Sequence, residues 1–341
     1  MFFTSDNGSG AAPEIMAAFA HANTGFARGY GADEIMTRVT TQIRHLFDAP
    51  EAAVYLVATG TAANALALAS YIKPYHAIFA HVNAHIATDE CGAPEFFTNG
   101  AKLIPVAGDH GKMTPDTLSA ALSRIGNGGV HGVQRGMMSI TNLTEAGTAY
   151  DPAEVAALTA VAKSYHLPVH MDGARFANAL VATGASAADM TWRAGVDVLS
   201  FGGTKNGCLG VEAVVMFDPA TAWEFELRRK RGGHLLSKHR YLSAQFEAYL
   251  ADDLWLRLAT TANEMGAKLA AGVAKLPDAR LLHPAPANMM FTEWPPGTNT
   301  RAFARGAAFY DIPSTREGAR LVASWSTTEA DVENLLTALQ P

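Results

Sequence analysis

Short apolar runs alternate with segments of helical periodicity through the first two thirds of the chain. Residues 35–47 carry apolar side chains at the spacing that places them on one face of a helix. Further helices are predicted over residues 62–72 and 152–166. The runs typical of buried strands lie at residues 54–57, 77–80, 103–106, 137–141, 169–171, 197–201 and 213–217. This alternation predicts an α/β fold with a mostly parallel sheet that is covered by helices on both faces.

The pattern changes after Phe217. Residues 219–276 are predicted to be largely helical, with one long helical pattern from about Tyr241 onward. The last part offers strands at 289–291 and 321–323, and helices near 299–308 and 327–339. We therefore predict a large domain and a smaller C-terminal α/β domain, divided as an N-terminal segment 1–30, a large domain 31–245 and a small domain 246–341.

Composition narrows the class of protein. Hydrophobic residues make up 49% of the 341 residues, which excludes intrinsic disorder. The formal net charge of −6 argues against a nucleic-acid-binding protein, which normally carries a basic face. The longest apolar runs, of about eight residues, fall far short of the roughly 18–20 that cross a bilayer. With two cysteines and no signal-peptide pattern at the N-terminus, we expect a cytoplasmic protein without a membrane partner.

Polar residues that could bind a ligand or react with it come directly after several predicted strands. Ligands of parallel sheets bind outside the carboxyl ends of the strands, so these residues are the candidates for a site. Gly60 and Thr61 open a helix, whose N-terminus would suit a phosphate; the alternative is an ordinary capped turn. Asp172 could hold a protonated ring nitrogen, and Arg175 could bind a carboxylate through two hydrogen bonds. The alternative for this pair is a helix-capping acid and a surface arginine.

Two more junctions carry a lysine and a histidine. Lys205 stands among small residues after a strand and could act as a nucleophile toward a carbonyl; alternatively, it is an exposed loop lysine. His85 could stack on an aromatic ring or take up a proton near neutral pH, although most of the chain's histidines are expected to be structural or solvated. These four features follow one another along the chain in the order expected of an enzyme that uses pyridoxal 5′-phosphate: a turn for the phosphate, a histidine, an acid at the end of a strand and a lysine. In such enzymes the lysine forms a Schiff base and an acidic residue holds the pyridinium nitrogen.

On these residues the chain resembles the low-specificity L-threonine aldolases and the related phenylserine aldolases. Both belong to the β-eliminating lyase group of fold-type I pyridoxal-phosphate enzymes. The resemblance runs through nearly the whole chain, and the stretches that carry it are 4–7, 30–34, 59–64, 85–97, 171–176, 200–207, 228–231 and 320–322.

The resemblance implies a fold, an assembly and a reaction. The fold would be like that of aspartate aminotransferase, with a large cofactor-binding domain and an N-terminal segment that contributes to the active site. The assembly would be a homotetramer, a dimer of dimers with active sites at subunit interfaces. The reaction would be reversible retro-aldol cleavage of L-threonine-like β-hydroxy-α-amino acids to glycine and an aldehyde. Alternatives are a preference for phenylserine, another β-eliminating lyase or aminotransferase on this fold, and a non-catalytic cofactor-binding protein. No metal is expected, because the sequence lacks ligand-spaced clusters such as HxxxH or CxxC.

The resemblance also implies roles for individual residues. The catalytic set would be Lys205, His85, Asp172 and His131. The cofactor would contact Gly60, Thr61, His85, Asp172, Arg175, Thr204, Lys205 and Lys238. The substrate would contact Ser5, Tyr30, Arg175 and Arg320. Ser5 and the two arginines would bind its carboxylate, whereas Tyr30 and His131 would lie near its β-hydroxyl. His85, His131 and an ordered water all stay open as the base for that hydroxyl.

Two departures from the family pattern leave parts of this assignment open. Lys238 stands where many relatives use an arginine to reach the phosphate of a neighbouring subunit. It supplies a charge, but not two parallel hydrogen bonds. Residues 141–145 read Thr-Asn-Leu-Thr-Glu where many relatives read Glu-Asn-Thr-His. Polar contacts from this loop to the cofactor are therefore not predicted.

Overall fold

A seven-stranded sheet forms the centre of the large domain in the computed structural model, which describes residues 1–126, 128–312 and 316–341. The order of its strands is β1-β7-β6-β5-β4-β2-β3. Their bounds are β1 Ala53–Val57, β2 His76–His81, β3 Lys102–Val106, β4 Gln134–Thr141, β5 Val169–Gly173, β6 Val198–Gly202 and β7 Glu212–Met216. Strand β7 runs antiparallel to both neighbours, and the other paired strands of the sheet are parallel. The prediction of a mostly parallel sheet is confirmed.

Helices cover both faces of this sheet. Those of the large domain are α1 Pro13–Ala22, α2 Glu34–Leu46, α3 Gly60–Tyr71, α4 His85–Thr88, α5 Ala93–Phe97, α6 Pro115–Ser123, α7 Pro152–Ser164, α8 Phe176–Thr183, α9 Ala187–Met190, α10 Ala222–Arg231 and α11 Arg240–Leu250. Residues 62–70 of α3 are all buried, because this helix lies between the sheet and α10. Helix α3 begins two residues earlier than predicted, since the side chain of Thr59 caps it by accepting from the N–H of Ala62.

The small domain has an antiparallel sheet of its own, in the order β10-β11-β9-β8. Its elements are α12 Leu254–Val273, β8 Arg280–Leu281, β9 Met289–Trp294, α13 Thr298–Ala304, β10 Tyr310–Ile312, β11 Glu317–Val322 and α14 Glu329–Leu339. The N-terminal segment joins this domain: Phe3 lies in its core and exchanges backbone hydrogen bonds with Ala308 and Val322. The predicted smaller α/β domain is thus present.

The long helical pattern from Tyr241 onward is two helices. Between α11 and α12 the chain turns at residues 251–253, where Asp252 and Asp253 have φ values of 49° and 54°. Residue 245, the boundary expected from the sequence, lies inside α11. We propose that the small domain begins at the turn instead. Within the described ranges, the model contains no helix of the length and apolarity that a bilayer crossing requires.

Candidate active site

The carboxyl ends of five strands of the large sheet converge on one cavity of about 240 Å³. Thr61 follows β1, His85 follows β2, Glu145 follows β4, Asp172 ends β5 and Lys205 follows β6, and all five line the cavity. Strands β2, β4, β5 and β6 are parallel, and β1 shares their direction because both β1 and β6 are antiparallel to β7. Their carboxyl ends therefore meet at one edge, as the sequence predicts.

The N-terminus of α3 forms one wall of the cavity. Thr59, Gly60 and Thr61 line it, and the Thr59 side chain binds the N–H of Ala62 at 3.1 Å. The backbone N–H groups of Gly60 and Thr61 have no hydrogen-bond partner within the described part of the protein. Free N–H groups and the helix dipole together favour an anion here.

Asp172 is buried, and each of its carboxylate oxygens accepts one hydrogen bond. Oδ1 accepts from the N–H of Ala174 at 3.0 Å, and Oδ2 accepts from Nδ2 of Asn64 at 2.9 Å. These two donors fix the plane of the carboxylate. Asn64 projects from α3, so the helix that offers its N-terminus to an anion also orients the acid.

Lys205 lies in a turn directly after β6, between Thr204 and the buried Asn206. Its amine makes no hydrogen bond or ion pair with a described residue. Nearby, the buried Glu212 accepts from the N–H of Gly203 at 2.7 Å. Burial raises the pKa of Glu212 to about 7, although this hydrogen bond and the charge of Lys205 act in the opposite direction.

Arg175 is held in a buried ion pair with Asp6. Its Nε lies 2.7 Å from Oδ2, and its Nη2 lies 2.9 Å from Oδ1 of Asp6. Burial disfavours both charges, but the pairing outweighs it, raising the pKa of Arg175 and lowering that of Asp6. Since Asp6 takes the N–H of Nε and one N–H of Nη2, the donors of Arg175 that remain for a ligand are Nη1 and the second N–H of Nη2.

Arg320 lies near Arg175 without an acidic partner of its own. Its Nη2 donates to the backbone oxygen of Thr4 at 2.9 Å, while its buried Nε has no acceptor among the described residues. Burial and the neighbouring charge of Arg175 both lower the pKa of Arg320. Two close cations with one unsatisfied buried donor are what a carboxylate-binding site requires.

His85 and Glu90 form a second pair at the cavity. Nδ1 of His85 lies 2.9 Å from Oε1 of Glu90, whose side chain is fully buried. The same oxygen accepts from Nδ2 of Asn64 at 2.8 Å. The hydrogen bond to Glu90 outweighs partial burial and raises the pKa of His85.

Glu145 contributes another carboxyl group to the cavity and has no hydrogen-bond partner among the described residues. Burial and the proximity of Asp172 both raise its pKa. Glu145 stands in the loop whose sequence differs from the pattern of many relatives, so this chain places an acid where the resemblance gave no assignment.

Five predicted site residues do not line the cavity within one chain, and one of them is Arg320, described above. Ser5 lies next to the cavity, where it caps a short turn by accepting from the N–H of Asn7 at 3.2 Å. Tyr30 and Lys238 are exposed and lie near each other in space, since the N–H of Tyr30 donates to the backbone oxygen of Ser237 at 3.1 Å. His131 is exposed in the loop before β4. That loop is at the amino end of the strand, so His131 does not line the cavity of its own chain, and its place near the β-hydroxyl stays a prediction.

Sequence reasoning assigned no role to five acidic or amide residues that build the site: Asp6, Asn64, Glu90, Glu145 and Glu212. Asp6, Asn64 and Glu90 fall in stretches that carry the family resemblance, which is the signal that marks them. Asp6 and Asn64 depend on partners that are 26 to 169 positions away in the chain, whereas Glu90 contacts His85 five positions before it as well as Asn64.

The cavity fits pyridoxal 5′-phosphate by its donors and its unsatisfied atoms. The free N–H groups at the start of α3 suit the phosphate, Asp172 suits the ring nitrogen, and Lys205 suits the aldehyde. Oδ1 of Asn64 and Oε2 of Glu90 are buried without a partner in the described structure, as is expected where a polar ligand completes the wall. Wider clefts exist, such as one of about 690 Å³ between α1, α2 and α11, but they combine no strand-end acid with a lysine.

Comparisons with known proteins agree with this site. Residues 3–294 match the family model described as β-eliminating lyase. The chain is 42% identical to a low specificity L-threonine aldolase of Pseudomonas aeruginosa, over 98% of this chain and 94% of that protein. A threonine aldolase from Leishmania major matches in structure with a TM-score of 0.93 at 28% identity, covering 99% and 98% of the two chains. A β-eliminating lyase/threonine aldolase homologue from Exiguobacterium, with a TM-score of 0.74 over 95% and 93% of the two chains, is 16% identical and shows the fold alone. The predicted fold class and family are confirmed, and the chain belongs to the β-eliminating lyase family.

Proposed function

We propose that this protein is a pyridoxal-phosphate-dependent aldolase that cleaves L-threonine-like β-hydroxy-α-amino acids reversibly to glycine and an aldehyde. The observation that carries the proposal is one cavity lined by Asp172, Lys205 and Arg175, with Arg320 close to Arg175, in a chain that is 42% identical to a low specificity L-threonine aldolase over nearly its full length. A preference for phenylserine is the alternative within the same reaction.

When bound, pyridoxal 5′-phosphate would supply an aldehyde for amines and a ring that accepts the electron pair released when the Cα–Cβ bond breaks. The N–H groups of Gly60 and Thr61 would hold the phosphate, and Asp172 would keep the ring nitrogen protonated. Asn64 and Ala174 prevent Asp172 from rotating away, because each of its oxygens is already bonded. Thr204 and Lys205 complete the wall at the aldehyde side.

The arginines orient the substrate. The donors left free for a carboxylate include Nη1 of Arg175 and Nε of Arg320, since Asp6 takes only the N–H of Nε and one N–H of Nη2 of Arg175. A substrate held by its carboxylate at this point presents its side chain in a fixed direction. This fixed geometry is worth a large part of the rate enhancement, because the reacting bond is aligned before cleavage begins.

Assembly would complete the site. Among the described lining residues, Lys205, Arg175 and His85 are the cationic ones, and each has another role than binding the phosphate. We propose that Lys238 of a second copy reaches the phosphate, and that Tyr30 and His131 act across interfaces of a homotetramer. Phe26, which is fully exposed in one chain, is consistent with such an interface. Cys91 and Cys208 are free thiols, which agrees with the cytoplasm as the expected compartment.

The first test compares the wild type with Lys205→Ala and Asp172→Asn after addition of pyridoxal 5′-phosphate. The wild type should gain a visible absorbance band and release glycine from L-threonine, and Lys205→Ala should lose both. In Asp172→Asn, turnover should fall much more than cofactor content, because the amide cannot keep the ring nitrogen protonated.

Product analysis decides between the alternatives. Glycine and an aldehyde support the aldolase, whereas ammonia or a keto acid would indicate another β-eliminating lyase or an aminotransferase. A protein that cannot be loaded with the cofactor would contradict the proposal outright.

A further inference from the structure

We propose that Glu90 is a positioning residue that turns His85 into the proton acceptor for the β-hydroxyl of the substrate. The inference rests on the proposed aldolase function and goes beyond it, because it selects one of the bases that the sequence leaves open. It also assigns a role to a carboxylate that the resemblance left without one.

The first observation is the geometry of the pair. Nδ1 of His85 lies 2.9 Å from Oε1 of Glu90, and the glutamate side chain is fully buried while 31% of the histidine side chain is exposed. A histidine that donates its Nδ1 proton to a carboxylate keeps its lone pair on Nε2. Glu90 therefore fixes both the tautomer and the orientation of the ring, and leaves Nε2 as the acceptor.

The second observation is the amide that holds Glu90. Nδ2 of Asn64 carries two protons, and it donates to Oε1 of Glu90 at 2.8 Å and to Oδ2 of Asp172 at 2.9 Å. One amide thus bridges the acid that orients His85 and the acid assigned to the ring nitrogen. Because Asn64 lies on the buried helix α3, neither carboxylate can shift without breaking a hydrogen bond to a fixed element.

The third observation concerns the alternative base. His131 precedes β4 at the amino edge of the sheet, so it does not line the cavity of its own chain and would reach such a cavity only from a second copy. His85 lines the cavity itself, together with Asp172 and Lys205. A proton acceptor must come within hydrogen-bond reach of the hydroxyl, and His85 is the histidine among the described lining residues that can do so.

Charges around His85 set the sign of the expected pH dependence. Glu90, Asp172 and Glu145 favour its protonated form, whereas Lys205 and partial burial disfavour it, and the hydrogen bond to Glu90 is the largest of these effects. A base works in its neutral form, so kcat should rise with pH through the pKa of His85. Removing the charge of Glu90 should lower that pKa and move the acid limb of the kcat profile to lower pH.

The experiment uses Glu90→Gln, which keeps the shape and the hydrogen-bond acceptor but removes the charge. Histidine NMR titration of the protein before and after cofactor loading, with His85→Gln to assign the signal, should show the pKa of His85 falling by about one to two pH units. The acid limb of kcat should move by a similar amount, and kcat on its plateau should fall about 10- to 100-fold, a part of what a general base contributes.

Glu95→Gln is the matched control, since Glu95 lies five positions further on α5 and does not line the cavity. It should leave both readouts as in the wild type. Glu90→Asp provides a second variant in case Glu90→Gln folds poorly: it keeps the charge but is too short for the 2.9 Å contact, so the pKa of His85 should again fall.

An unchanged His85 titration in both Glu90 variants would overturn the inference. The inference would also be overturned if the pKa of His85 fell as expected but the acid limb of the kcat profile stayed where it is in the wild type. Glu90 would then orient a histidine that is not the base. The titration before cofactor loading needs no turnover, so it measures the effect of Glu90 on His85 even in a protein without activity. A wild type without aldolase activity would refute the proposed function separately.

Discussion

Single buried charges at this site are stabilised in different ways. Asp6 and Arg175 neutralise each other, whereas Arg320 has a buried Nε without an acceptor and Glu212 has a raised pKa. A buried charge without a partner costs free energy, so such groups either bind a ligand or shift their protonation. Arg320 is therefore suited to binding a ligand, whereas Glu212 is suited to taking up a proton.

Glu212→Gln should stabilise the protein in a pH-dependent way. The folded-state pKa of Glu212 is about 7, above its ordinary value of 4.5, so the folded state retains a proton that the unfolded chain releases. The stability associated with that proton is complete below about pH 4.5 and is lost as pH rises to about 7. We expect no gain for the variant at pH 4 and a gain of up to roughly 3 kcal/mol at pH 8, judged from the size of the shift.

Urea unfolding at a series of pH values measures this gain, with Glu51→Gln on the exposed surface as the control. A gain that is the same at pH 4 and pH 8 would show that the charge of Glu212 is not its cause.

At the scale of elements, α3 combines structural and binding roles. It contacts β1, β4, β5, β6 and β7, its Asn64 bonds two carboxylates, and its N-terminus faces the cavity. A helix that is buried over residues 62–70 cannot tilt easily, so the N–H groups of Gly60 and Thr61 keep their direction.

Thr59→Ala tests this combination. Loss of the side-chain cap on Ala62 should destabilise the protein by about 1 kcal/mol, and it should also weaken cofactor binding because the first turn of α3 loosens. Thr114→Ala removes a similar threonine cap from α6, which lies away from the cavity. It should cost similar stability and leave the affinity for pyridoxal 5′-phosphate unchanged.

Thermal unfolding and a titration with the cofactor separate the two effects. Equal cofactor affinity in both variants would mean that the first turn of α3 does not hold the phosphate.

At the scale of the molecule, the N-terminal segment ties the two domains to the site. Phe3 packs in the core of the small domain, and three residues later Asp6 binds Arg175 of the large domain. Asn288 of the small domain also donates to Oδ2 of Asp6 at 3.2 Å. Both domains, and the positions of Arg175 and Arg320, therefore depend on residues near the start of the chain.

Asp6→Ala should be strongly destabilising. It leaves Arg175 buried without its counter-ion, and removal of one partner of a buried pair typically costs about 3–5 kcal/mol. Lys268→Ala, which removes the partner of the exposed Glu329 from inside α12, should change stability little, since solvent screens that pair. Chemical denaturation of both variants measures the difference, and comparable midpoints would argue against the structural role of Asp6.

Much of the local structure was predictable, because it depends on short-range patterns. The strands that end at Asp172 and before Lys205 are apolar runs followed by polar residues, and their predicted bounds differ from the observed ones by one or two residues. The break between α11 and α12 was not predicted. Apolar periodicity continues across residues 251–253, while the turn depends on the left-handed backbone of Asp252 and Asp253.

The sequence by itself determined the order of the elements, the parallel sheet and the identity of the strand-end acid and lysine, because periodicity and strand-end position are properties of neighbouring residues. The family resemblance added candidate roles to these residues. Tertiary structure alone decided which side chains meet: Glu90 with His85 and Asn64, Asp6 with Arg175, and Tyr30 and His131 away from the cavity of their own chain. Such contacts join positions that are separate in the chain. Burial raises the pKa of Glu212 and leaves Nε of Arg320 without an acceptor among the described residues, and this burial exists only once the two domains and the N-terminal segment have packed.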